Sequence, residues 1–95
     1  MTETRVVHLR REPYDVLIDR TTPLGNPFRI GLDGNRYAVI EQHMTLWRKR
    51  LADPRTRESS LALLRPIKGK RLGCHCHPLP CHGDNYVRLI AEFCA

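Results

Sequence analysis

Residues 70–84 read Lys70-Arg71-Leu72-Gly73-Cys74-His75-Cys76-His77-Pro78-Leu79-Pro80-Cys81-His82-Gly83-Asp84. The first five residues enter a strand, Pro78 and Pro80 stiffen a turn, and Asp84 is placed to cap a final helix. That helix covers Asp84 to Cys94, with Val87, Ile90 and Cys94 at helical spacing. Upstream of the strand lie two helical segments. Asn35 caps the longer one, in which Tyr37, Ile40, Met44, Trp47 and Leu51 recur at steps of three and four, a stripe that packing against a sheet requires. His43 falls off that stripe and is expected at the surface. Asp53-Pro54 closes the helix, and a shorter one covers Glu58 to Leu64, with Leu61 and Leu64 inward and Pro66 ending it.

Further upstream, Arg5-Val6-Val7-His8-Leu9 alternates with β-branched residues, and Asp15-Val16-Leu17-Ile18-Asp19 is a compact apolar run. Both read as strands. Thr22-Pro23-Leu24-Gly25-Asn26-Pro27-Phe28-Arg29-Ile30-Gly31 holds too many breakers for regular structure. The order β, β, α, α, β, α predicts an α/β fold, a small three-stranded mixed or parallel sheet covered by two to three helices. A parallel pair is expected because helices separate the second and third strands. At 95 residues, the chain is expected to form one domain over 1–95.

Apolar residues make up 41% of the chain and charged residues 27%, with no run near a membrane span. The start, Met1-Thr2-Glu3-Thr4-Arg5, lacks the basic opening and apolar stretch of a secretory signal, so the expected location is the cytoplasm. Sixteen basic against ten acidic residues give a formal charge of +6. The excess is the footprint of a polyanion partner, but the Arg-rich bias equally suits a GC-rich genome, and the charges are scattered. Arg48-Lys49-Arg50 with Arg55 and Arg57, and Lys68, Lys70 and Arg71, are the densest groups.

Three of the four cysteines fall within residues 74–81, a pattern that in a reducing compartment points to metal or reactivity rather than disulfides. Cys74 and Cys76 on one face of a strand end, with Cys81 and His82 returned by the proline turn, supply three thiolates and one imidazole. That is a closed tetrahedral zinc set. His75 and His77 are substitutes. Two other readings stand beside it. In one the cysteines are small buried hydrophobes. In the other Cys81 or Cys76 is a nucleophile at a helix N-terminus, with a neighbouring histidine as base. Cys94, outside the cluster, reads as a core thiol.

Val6-Val7-His8-Leu9, Tyr14-Asp15-Val16, Ile18-Asp19-Arg20, Pro23-Leu24-Gly25-Asn26-Pro27-Phe28, Gly69-Lys70-Arg71-Leu72-Gly73-Cys74 and Leu79-Pro80-Cys81-His82-Gly83-Asp84 together resemble the DUF4326 family, in order and over nearly the whole chain. That family comprises small proteins of bacteriophages and bacteria, often marked by Cys-His-Gly. Its usual Cys-Trp-Cys-Ala-Pro is replaced here by Cys74-His75-Cys76-His77-Pro78, and its Gly before the Arg by Asp19. The resemblance implies a phage-like context, and hence the host cytoplasm, without implying an activity.

In a parallel arrangement Arg20 and Asn26, after the second strand, and Asp84, after the third, share the strand C-terminal edge where α/β sheets bind ligands. These three are the candidate substrate-binding residues, with Gly25-Asn26-Pro27 as a plain turn the alternative. A weaker similarity joins Leu24-Gly25-Asn26-Pro27-Phe28, Asp33-Gly34, Tyr37 and Glu41 to the NADAR family, which acts on N-glycosidic bonds of ADP-ribose-like compounds. It implies Glu41 as acid or base and Arg20 as a phosphate holder. The leading expectation is a zinc-binding cluster (Cys74, Cys76, Cys81, His82) that shapes a contact site for a nucleotide, nucleic acid or host protein. The alternative is an enzyme acting on a nucleotide or nucleoside through N-glycosidic or thiol chemistry. No triad, P-loop or paired carboxylate names a reaction.

Overall fold

The computed structural model describes residues 3–94; Met1 and Thr2, where the leader reading begins, and Ala95 lie outside the described residues. The elements are β1 (Arg5–His8), β2 (Val16–Leu17), α1 (Arg36–Ala52), α2 (Arg57–Leu64), a 3₁₀ turn (Arg65–Ile67), β3 (Arg71–Cys74) and α3 (Gly83–Phe93). The sheet is parallel throughout, in the order β1-β3-β2. Arg5 to His8 face Arg71 to Cys74 in register, and Val16 and Leu17 face Leu72 and Gly73 on the other side. The α/β class is as expected, and of the two sheet types foreseen it is the parallel one. Among the described residues no helix is long and apolar enough to cross a membrane.

β2 is shorter than the expected Asp15–Asp19 because Asp19 ends it in a turn. Its carboxylate accepts the Thr21 amide at 2.9 Å and the Thr21 hydroxyl, and its carbonyl accepts the Thr22 amide at 3.1 Å. The loop that follows folds back onto this strand end. A side chain at Gly25 would meet the Asp19 carbonyl oxygen at 2.4 Å and Arg20 Cα at 2.5 Å, so the close approach requires glycine. Asn35 caps α1 as expected, its side chain accepting the Ala38 amide at 2.9 Å.

The core gathers Val6, Ile18, Leu72, Trp47, Leu51, Leu61, Leu64, Tyr86, Leu89 and Ile90 between the sheet and the helices. Each such side chain contributes on the order of 1.5–3 kcal/mol by leaving water. The inward face of α1 differs from the expected stripe. Val39, His43, Trp47 and Leu51 are buried, Met44 packs at the margin, and Tyr37 is 69% exposed. His43, expected at the surface, has no exposure because α3 supplies polar partners for its ring. On α3 the buried apolar residues are Tyr86, Leu89 and Ile90, while Val87 and Cys94 are partly buried against the core.

Candidate functional site

Parallel strands present their carbonyl ends, and the loops that leave them, at one edge. Here that edge opens as a cleft of about 360 Å³. β2 sends Asp19, Arg20 and the Asn26–Ile30 loop into its wall, and β3 contributes Cys74, His75 and Cys76. The entry to α3 adds Pro80, Cys81 and His82, and the first turns of α1 add Arg36, Val39 and Ile40. The cleft therefore brings together the two loop segments singled out in the sequence. Its lining surface is mostly apolar, apart from two guanidinium groups, one carboxylate, two imidazoles, the Thr21 hydroxyl, the Asn26 amide and the thiols.

Arg20 is locked by the loop it precedes. Its Nε donates to the Asn26 carbonyl at 3.2 Å and its Nη2 to the Phe28 carbonyl at 3.3 Å. Arg36 Nη1 donates to the Pro80 carbonyl at 3.2 Å, tying the start of α1 to the cysteine loop. Among the described residues neither guanidinium pairs with a carboxylate, whereas Arg5, Arg48, Arg55, Arg65 and Arg71 all do. Both cations are thus oriented but not neutralised. Arg36 also stands at the positive end of the α1 dipole, where a cation is disfavoured and an anion is favoured. Asp19 is held below its usual range, first by the Thr21 hydroxyl and then by the Thr21 amide, and lies 3.6 Å from His75 Nε2.

The sulfurs of Cys74 and Cys81 lie 3.3 Å apart, both residues nearly inaccessible to bulk solvent. Cys81 Sγ accepts the Gly83 amide at 3.3 Å. The two sulfurs are within hydrogen-bonding distance of each other. The hydrogen bond from Cys81 pulls Cys74 below its ordinary thiol value, helped by the Cys76 and His77 amides. Cys81 is pushed up, first by the hydrogen bond its proton makes to Cys74, then by burial and by the charge that Cys74 carries when ionised.

His82, in the same lining, is bonded to the backbone. Its Nε2 donates to the Ile18 carbonyl at 2.7 Å, with the Leu24 carbonyl at 3.1 Å, and burial lowers its pKa. Behind it runs a chain of polar contacts whose directions are fixed by the end members. Asn85 Nδ2 donates to His43 Nδ1 at 3.0 Å, so His43 Nε2 carries the proton toward Tyr86 Oη at 3.1 Å. Tyr86 in turn donates to the Leu24 carbonyl at 2.7 Å.

Of the four expected zinc ligands, the structure pairs Cys74 with Cys81 and sets Cys76 in the lining of the same cleft. It engages the Nε2 of His82 with backbone carbonyls. Among the described residues no three His, Cys, Asp or Glu side chains are grouped so as to hold a metal ion. Cys74 and Cys81 stand as a close thiol pair.

Of the expected substrate-binding residues, Arg20 and Asn26 line the cleft, but Asn26 is buried in structural work. Its Nδ2 donates to the Val39 carbonyl at 3.2 Å and its Oδ1 accepts the Phe28 amide at 3.0 Å. Asp84 is placed outside the lining, at the start of α3, where its carboxylate accepts the Cys81 amide at 3.0 Å. Glu41 and Arg20 are not brought together. Glu41 lines a separate hollow with Phe28, Ala38, Gln42, Thr45, Leu46 and Lys49. The residue that sequence reasoning missed is Arg36. The available signal was a cation in the first turn of a helix that has no acid there, against the usual charge preference.

A family model described as "Domain of unknown function (DUF4326)" matches residues 3–92. The chain is also similar to the "Uncharacterized 12.4 kDa protein in nrdA-td intergenic region" of Enterobacteria phage T4. The two are 39% identical over 87 residues, covering 90% of this chain and 76% of that one. No solved structure matches.

Proposed function

The chain belongs to the DUF4326 family, and from that premise and the geometry of the cleft we propose that it binds a small anionic ligand of the nucleotide class. Arg20 and Arg36 hold the phosphate, and Phe28, Val39 and Ile40 receive the apolar part. The observation that carries this reading is the pair of oriented guanidinium groups, without carboxylate partners among the described residues, opening on one apolar cleft. A guanidinium has five donors, so each arginine keeps N–H groups for a phosphate after anchoring itself to carbonyls. In a cleft this apolar a charge-assisted hydrogen bond is worth about 1.5–3 kcal/mol, and a volume of about 360 Å³ falls within the range of small-ligand sites.

Titration calorimetry with nucleoside monophosphates and diphosphates at low salt tests the reading. Binding is expected to weaken with added salt and to fall by about ten- to a hundredfold in Arg36→Gln, the size expected from losing one charged contact. Arg36→Gln is the informative variant, because Arg20 also holds its own loop together. No heat from any nucleotide, or equal affinity in wild type and Arg36→Gln, would overturn it.

A further inference from the structure

We propose that Cys74 and Cys81 form a reversible dithiol–disulfide couple on the floor of the cleft, oxidised by hydrogen peroxide. The couple does not depend on what the cleft binds. The sulfurs are 3.3 Å apart. A disulfide bond is about 2.05 Å, so closure needs a movement of roughly 1.3 Å, within reach of small side-chain rotations. The observed separation suits a thiol donating to its neighbour.

The backbone holds the two sulfurs in place. Cys74 ends the central strand of the sheet, bonded through its carbonyl to the Leu9 amide at 3.0 Å, and Cys81 enters α3 with its sulfur on the Gly83 amide. Both line the cleft while being no more than 3% exposed. A small oxidant therefore reaches them from the cleft, and bulky thiol reagents do not. Cys94 lies at the far end of α3 and has no part in the lining.

The chemistry balances. One of the pair, as thiolate, attacks a peroxide oxygen and breaks the O–O bond, giving a sulfenic acid and hydroxide, which takes up the proton released by the thiol. The second sulfur displaces the sulfenic hydroxyl as water and forms the S–S bond. Two thiols and one peroxide become one disulfide and two waters, the thiols losing two electrons and two protons.

The test treats full-length protein, wild type and the Cys76→Ser/Cys94→Ser double variant, with hydrogen peroxide. Unreacted thiols are then blocked under denaturing conditions, and peptides are mapped by mass spectrometry. Expected are the loss of two hydrogens per chain in the double variant, a Cys74–Cys81 link in both proteins, and full reversal by dithiothreitol. If the double variant fails to fold, the map of wild type decides alone. A link that involves Cys76, oxidation to sulfinic acids without a cross-link, or one bound zinc per chain that shields both thiols until a chelator removes it would each overturn the couple.

Discussion

His43 sits in the middle of α1 with no exposure, and its ring can be buried only because both nitrogens have partners, Asn85 on one side and Tyr86 on the other. Burial lowers its pKa to about 3, with smaller repulsions from His82 and Arg50 acting in the same direction. An unfolded chain protonates this ring near its ordinary value, about 6.5, and the folded chain does not. The contribution of His43 is therefore fully present above pH 6.5 and is lost as pH falls from there toward 3, by about 2 kcal/mol at pH 5. His82, also lowered by burial, adds a loss of the same sign. Asp15, held down to about 2 chiefly by its hydrogen bonds to Arg71, loses its contribution only below the ordinary carboxylate range, so the two kinds of group separate along the pH axis. We predict that His43→Phe lowers stability at pH 7 by about 1–2 kcal/mol and flattens the fall between pH 7 and 5. Asn85 and Tyr86 each keep a second partner in that variant, the Ile40 and Leu24 carbonyls. Urea unfolding at the two pH values measures both. A slope unchanged by the substitution would show that His43 is not the titrating group. Nothing in the sequence announced this residue, because its partners lie more than forty positions away on another helix.

Between β2 and α1 the loop folds closely onto the strand end, and Gly25 is the residue on which that close approach depends. The two atoms that crowd its missing side chain, the Asp19 carbonyl oxygen and Arg20 Cα, are backbone and cannot rotate away. Gly25→Ala should therefore open the loop, lower stability by about 1–3 kcal/mol and release Arg20 from the Asn26 and Phe28 carbonyls. For a domain of this size each kcal/mol corresponds to about 4–8 °C, so a thermal melt reads the effect directly. A Tm within 2 °C of wild type would mean that the loop approaches the strand less closely than described. The elements that local chemistry dictates were legible in the sequence: the alternating β1, the Asn35 cap of α1, α2 ended near Pro66, and β3 after two helices. What long-range pairing decides was not. The central place of β3 between β1 and β2 has no local signature, nor has the inward turn of α1 onto Val39 and His43 rather than Tyr37. The cleft was half legible, since Arg20, Asn26 and the cysteine loop all follow strands that run the same way. Arg36 was hidden because on its own it reads as an ordinary surface cation.

Over the whole molecule the +6 charge is not gathered where the sequence is densest in cations. Arg48 makes a two-pronged pair with Glu92, at 2.9 and 3.1 Å, that joins α1 to α3. Arg50 lies 4.5 Å over the Trp47 ring, and Arg71 is fixed to Asp15. Arg55 pairs with Asp53 and Arg57 donates to the Leu51 carbonyl, so five cations of the apparent clusters serve the fold. That leaves Lys49 in the second hollow and Lys68 and Lys70 between the 3₁₀ turn and β3 as exposed charges in two separate places. A built nucleic-acid surface would make one of these far more important than the other. Nonspecific attraction depends on net charge and treats them alike. We expect Lys49→Glu and Lys68→Glu to weaken binding to duplex DNA at low salt equally, to within about twofold, since each changes the net charge by the same amount. Each should shift stability by no more than about 0.5 kcal/mol, as exposed positions do. Fluorescence anisotropy with a labelled duplex over a salt series measures the affinities. A loss for Lys49→Glu many times that for Lys68→Glu, with a shallower salt slope, would place phosphate contacts on α1 and make nucleic acid a specific partner rather than a bystander attracted by charge.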